Sequence, residues 1–358
     1  MTNHKFVHIF SPSSYRITVC SVLLLMVSLI ALSVQMGSVQ GQTNSIEESS
    51  NSSSSSSIKN TANESKIVSE NTYTTLRKDN SIYDLYKNIT IPAGKDMTYV
   101  DVTVDGKIVA ATSSADNQTF IFNGTSGEQI AKIKVGEVPK GIKITSDKKY
   151  VLVANELSGS VSIISLDDQK VIKNIDVGPV PHNIVFSPDD TKAYVTIQGG
   201  DKIAIIDMHS LEKTNEIQDS KGPHNLDITS DGKILFVANA GSSDVAIINT
   251  TSLQIIKKIP VSLGHHGIDV SPDDKWVYVS GIGGDKVNIL DAKKMDLIKQ
   301  IDVGKGPHGI RTTADGKFLL VDVSSENKIA VIDTDTLNII KEIPAAGTPF
   351  WLAIPGNH

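Results

Sequence analysis

The chain has almost no cysteine, few aromatic residues and no surplus of positive charge, and each shortage closes off a class of function. One cysteine, Cys20, stands among 358 residues, inside an apolar N-terminal stretch. The rest of the sequence therefore forms no disulfide and offers no thiolate to a metal. Stability has to come from packing, which a domain near 270 residues can supply because large domains bury a high fraction of their surface. Aromatic residues make up 5% and apolar residues 39%. A core built from them relies on small β-branched and aliphatic side chains, which suit strands packed face to face. Lys and Arg number 34 against 40 Asp and Glu, a formal net charge of −6. That balance argues against non-specific nucleic-acid binding, because phosphate neutralisation needs a Lys/Arg surplus. There is no G-x-S-x-G, no H-E-x-x-H and no phosphate-cradling Gly loop after a strand, so no common nucleophile or metalloprotease motif is available. No stretch sustains a 3.6-residue apolar period, and few helices are expected.

What is present falls into three zones. Residues 17–34 read ITVCSVLLLMVSLIALSV behind Lys5 and Arg16, an apolar run after a positively charged start, as in an export signal. Its eighteen residues stand at the boundary between a signal peptide and a spanning helix. Val39 and Gly41 satisfy a small-residue cleavage rule, so residues 1–41 are read as a signal peptide in preference to a retained membrane anchor. Residues 42–64 include ESSNSSSSSS and are too poor in apolar groups to offset their ordering entropy, the mark of a flexible linker. Residues 65–358 are periodic.

Aligned at a spacing of 42, this third zone falls into columns without a gap. One column reads Asp105, Asp147, Asp189, Asp231, Asp273 and Asp315. Around another stand the segments TFIFN, VSIIS, IAIID, VAIIN, VNILD and IAVID. Each repeat carries four short β-prone runs separated by turn signals such as SPDD and QGGD, the pattern of antiparallel hairpins. Repeats of about this length with four strands each are propeller blades. A seventh blade is expected to combine C-terminal FWLAIP as its first strand with SKIVSE (65–70), TYTTLR (72–77) and YKNITIPAG (86–94) as second, third and fourth. Such closure removes the open edges. The fold expected is an all-β, seven-bladed propeller of four-stranded antiparallel blades, with six blades as the alternative.

The motifs VPHNIVFSPDDTKAYVT (180–196) and GPHGIRTTADGKFLLV (306–321) resemble those of the YVTN-repeat β-propeller family, over residues 91–354. The resemblance implies a seven-bladed propeller, often displayed on the surfaces of archaea and bacteria. It implies no single activity, since related propellers include lactonase-like enzymes, nitrite and nitrous oxide reductase domains, and plain binding modules.

One column is chemically distinctive: Thr98, Lys140, His182, His224, His266, His308 and Phe350, with His265 adjoining it. These residues stand in the link entering the innermost strand, so they are expected to ring one mouth of the channel. His182, His224, His266 and His308 there could bind Cu or Zn through neutral imidazoles, or each could hydrogen-bond its own turn. No Cys or Met column supports a soft-metal site. The Asp column reads as a tight turn in which Asp bonds its own backbone. A second turn column is Asn123, Ser165, Asp207, Asn249, Asp291 and Asp333. Sequons at Asn51, Asn63, Asn88, Asn117, Asn123 and Asn249 are glycosylation candidates in an exported chain. The expectation is an extracellular or surface-displayed, non-catalytic binding module with no cofactor. Its partner would be a protein, a glycan or a small molecule, and it would touch a membrane only through its N-terminal segment. The alternative is a metal-binding protein or metal-dependent enzyme of reductase or lactonase type.

Overall fold

The computed structural model describes residues 67–357 apart from 220 and 263. The signal segment, the whole linker, Cys20, Asn51 and Asn63 lie outside the described residues. No helix among the described residues is long and apolar enough to cross a membrane. The helical elements there are three short 3-10 turns, Arg77–Asp79, Gln198–Gly200 and Ser324–Glu326.

Among the described residues, twenty-eight strands form seven four-stranded antiparallel sheets. Blades 1 to 6 follow the chain: residues 97–134, 139–176, 181–218, 223–260, 265–302 and 307–344. In each, the first strand is innermost and the fourth outermost. The strand composition explains the burial. The second and third strands, such as Tyr150–Asn155 and Ser160–Ser165, are buried almost throughout, since neighbouring blades cover both faces. The outermost strands, such as Lys170–Asp176, alternate and carry the Lys and Glu side chains.

Blade 7 closes the ring. Its innermost strand is Pro349–Ala353, paired antiparallel with Tyr73–Leu76 through Tyr73↔Ala353, Thr74↔Leu352 and Leu76↔Pro349. Ser81–Asp84 and Ile89–Pro92 complete the sheet. The expected assignment is thus corrected by one strand. TYTTLR supplies the second strand and not the third, Ser81–Asp84 is the third, and no strand lies in the described part of SKIVSE. The cause is shortening. Leu76 and Ile197 both end a second strand before a 3-10 turn, yet they are 121 positions apart (197 − 76) where three repeats give 126. The four-residue strands of blade 7 shift the count, and back-projection by 42 lands on the wrong segment.

Hydroxyls clasp blade to blade. Oγ1 of Thr75 donates to the Thr98 carbonyl at 2.9 Å, Thr112 to Lys140 at 2.8 Å and Thr196 to His224 at 2.8 Å. Ser280 does the same to His308. Each bond runs from the second strand of one blade to the innermost strand of the next, and it satisfies a carbonyl that the blade junction removes from water.

Candidate functional site

The innermost strands converge on the axis, so a residue's place in that strand fixes its depth in the channel. The second place holds the His column. Thr98, Lys140, His182, His224, His266, His308 and Phe350 all occupy it, inside the strand and not in the link before it. His265 opens the strand of blade 5. Four imidazoles and one phenyl ring follow one another along an arc, tilted or edge-on except for the stacked His308–Phe350 pair. Ring centroids are 3.8 Å apart for His182–His224, 4.2 Å for His224–His266, 5.1 Å for His266–His308 and 3.8 Å for His308–Phe350. The Arg77 guanidinium lies 4.8 Å over the Phe350 ring. Lys140 begins the arc: its Nζ is 3.8 Å from Glu156, whose other oxygen is 3.2 Å from His182 Nδ1. Thr98 takes no part. Its hydroxyl meets Thr112 and Ser114 at 3.1 and 3.0 Å.

Every imidazole has a protein partner at Nδ1: Glu156 for His182, the Asn225 amide for His224, and the Gly264 and Phe350 carbonyls for His266 and His308. A carbonyl can only accept, so His266 and His308 carry their proton on Nδ1. The Asn225 amide donates, so Nδ1 of His224 accepts. His182 also meets the Tyr99 hydroxyl at 2.8 Å through Nε2. Burial holds His308 well below the ordinary histidine range, with His266 adding repulsion. It lowers His182 as well, against the partly offsetting Glu156 carboxylate. No three His, Cys, Asp or Glu side chains among the described residues converge as a metal would require.

The third place of the strand seals this end. Tyr99 and Trp351 fill the axis with centroids 4.4 Å apart, while blades 5 and 6 carry Gly267 and Gly309. A Cβ at Gly309 would stand 2.8 Å from the Trp351 backbone and 2.7 Å from an Asp322 oxygen. Glycine there lets adjacent innermost strands approach around the large rings.

The fifth place was not singled out by sequence reasoning. It reads Asp101, Lys143, Val185, Asp227, Asp269, Arg311 and Ala353, again at a spacing of 42 but with changing chemistry, so no column of like residues announced it. Lys143 pairs with Asp101 at 3.4 Å and Arg311 with Asp269 at 3.3 Å. Each acid also binds the next blade's backbone: Asp101 accepts from Ile144 N at 2.8 Å, Asp227 from Val270 N at 2.7 Å and Asp269 from Thr312 N at 2.8 Å. Burial raises Asp227 to about 7, helped by the nearby Asp269 charge. Above this ring opens a cavity of about 380 Å³, walled by Val185, Phe186, Ile228, Val270 and the polar turns beyond, and bordered by Asn357.

The two turn columns and the described sequon residues lie away from these rings. Every member of the Asp column accepts from the Ser or Thr two residues before it, at 2.6 to 2.8 Å. The second column caps the turn after the third strand, as in Asp207 and Asn249. Sequon residues Asn117, Asn123 and Asn249 accept backbone N–H bonds through Oδ1, and Asn88 bonds the Tyr83 hydroxyl.

A YNCE-like beta-propeller family model matches residues 168–316 and 270–356; the YVTN label stays a resemblance. No curated protein matches the sequence. Among solved structures, the chain is similar to Kuenenia stuttgartiensis hydrazine synthase, with TM-score 0.66 and 20% identity over 73% of this chain and 90% of that one. A functionally unknown protein from Desulfotomaculum acetoxidans DSM 771 gives TM-score 0.70 and 16% identity over 80% and 99%. Dihydro-heme d1 dehydrogenase NirN in complex with DHE gives 0.60 and 15% over 80% and 75%. At these identities the likeness is one of fold.

Proposed function

The chain belongs to the YNCE-like β-propeller family, and from that premise we propose that it is an exported, surface-displayed binding module without catalysis, whose ligand enters the carboxylate-ringed mouth. The contrast between the two ends of the channel carries this reading. At the His end, His182, His224, His308 and Phe350 are buried, His266 is half-buried, and each Nδ1 has a protein partner. At the other end, a cavity of about 380 Å³ opens beside charged groups, the concave, partly apolar form of a small-ligand site. Export rests on the apolar run at 17–34 and the Ser-rich stretch that follows.

The metal-dependent alternative has one observation in its favour. The tautomers of His266 and His308 leave Nε2 of both as acceptor nitrogens, in rings 5.1 Å apart. Two such nitrogens fall short of the three protein ligands a catalytic zinc usually has.

One pair of measurements separates the readings. Untagged protein saturated with Cu²⁺ or Zn²⁺ and then dialysed is expected to retain far less than one ion per chain. Ser146→Trp, at the exposed rim of the cavity, is expected to abolish the thermal stabilisation that small-molecule ligands give the unsubstituted protein. One tightly held metal per chain, or ligand binding indifferent to the rim, contradicts the binding-module reading. Protease shaving of intact cells tests display: the propeller should be released or cleaved without lysis.

A further inference from the structure

We propose that the carboxylate-ringed cavity is a recognition site for a primary ammonium group carried on an apolar body, with Asp227 as its counter-ion. This rests on the reading of that mouth as the binding site. The ring holds three carboxylates and two cations. Lys143 neutralises Asp101 and Arg311 neutralises Asp269. Asp227 has no cation within ion-pair distance among the described residues. Its oxygens accept only from the backbone N–H groups of Ile228 and Val270, at 2.9 and 2.7 Å, while Asp227 is among the residues lining the cavity.

A buried carboxylate without a counter-charge is costly. Here the cost is visible as a carboxyl that holds its proton up to about pH 7. The groups facing it are Asp269 and Arg311 from the next two blades and Lys143 from two blades back; the first repels and the other two attract its charge. A ligand ammonium would supply the missing cation. An anion would meet an uncompensated acid. A metal ion would lack a converging donor set, since no three acidic or His side chains among the described residues form one. Beside Asp227, the walls made by Val185, Phe186, Ile228 and Val270 offer apolar surface to the rest of the molecule. A site of this kind rejects a neutral isostere, because the isostere leaves the buried polar group unpaired.

Benzylamine, benzyl alcohol and benzoate make a matched set of probes, alike in ring and different in charge. Calorimetry on the whole propeller should show saturable binding of benzylamine alone. Because Asp227 must be ionised to hold the ammonium, affinity should be about tenfold higher at pH 8 than at pH 6. Asp227→Asn should abolish binding and leave the melting temperature equal or higher, showing that the fold survives. Unchanged benzylamine affinity in Asp227→Asn would overturn the assignment. So would binding of benzyl alcohol or benzoate in place of the amine, but if Ser146→Trp abolished that binding, the mouth would stand as a binding site for another chemistry. Binding of none of the three, together with no ligand responsive to Ser146→Trp, would remove both the ammonium assignment and the binding role of this mouth.

Discussion

The two ends of the channel come from the same seven strands, three places apart, and they treat polar side chains in opposite ways. At the second place, each His finds a partner in its own strand, in the link before it or in the neighbouring blade, and Tyr99 and Trp351 close the axis behind them. At the fifth place, acids and bases alternate irregularly around a cavity. A polar group in a propeller axis is therefore not by itself a site. The comparison teaches that a site begins where a charged group is left without a counter-charge and beside open space.

The partition between the ends is Trp351, and removing it should break the contrast most severely. Its ring lies 6.0 Å from His308 on one side and 5.2 Å from the Arg311 guanidinium on the other. Trp351→Ala should cost about 3–5 kcal/mol in a denaturant titration, as for large aromatic truncations in cores. Deleting residues 349–357 should do worse, because the edge of Tyr73–Leu76 is then left unpaired and prone to aggregation. A deletion variant that melts like the parent would contradict the closure of blade 7.

Acid should sharpen the contrast, because the two ends respond with opposite sign. His182 and His308 are harder to protonate in the fold than in the unfolded chain. Their stabilising contribution is fully present above about pH 6.5 and is lost as pH falls below it, by at most about 1.4 kcal/mol per pH unit for each proton taken up on unfolding. Asp227 behaves inversely. Its folded value is raised to about 7, so its destabilisation is complete above that pH and is relieved as pH falls toward 4. Melting curves from pH 8 to pH 4 should therefore show Asp227→Asn gaining most over the parent at alkaline pH, with the gain shrinking on acidification. A gain that grows toward pH 4 would refute the assignment of Asp227 as a destabilising buried acid.

Smaller effects test the blade junctions shared by both ends. At the clasp position of blade 6, Asp322 stands where blades 1, 3 and 5 place Thr112, Thr196 and Ser280. It is fully buried, its pKa is pushed well up by desolvation, one oxygen meets Thr74 at 2.8 Å and the other has no hydrogen-bond partner. Asp322→Thr restores the hydroxyl and should stabilise by about 1 kcal/mol at neutral pH, within the range for relieving an unsatisfied buried group. Asp189→Ala loses the turn bonds to Ser187 and Thr191 and should cost about 0.5–1 kcal/mol, with no effect on either mouth.

Much of this was legible in the sequence, for a physical reason. Duplicated blades meet the same neighbours, so a spacing of 42 carries the hairpins, the Asp turns and the His column directly. Blade 7 was legible only as a closure, since its four-residue strands break the spacing and its partner strand lies at the other end of the chain. The carboxylate ring was hidden for a different reason. Asp269 has Arg311 one blade further on and Asp227 has no cation there, and no single column position states that. Which of two like residues has a counter-ion is a property of the closed ring.

A crystallographic fragment soak, run with small amines and with Cu²⁺ or Zn²⁺ in parallel, tests the asymmetry of the channel most directly. The account predicts ordered ligand density against Asp227 in the cavity and none among His182, His224, His266 and His308. Metal density within the His arc, with an empty carboxylate mouth, would contradict it.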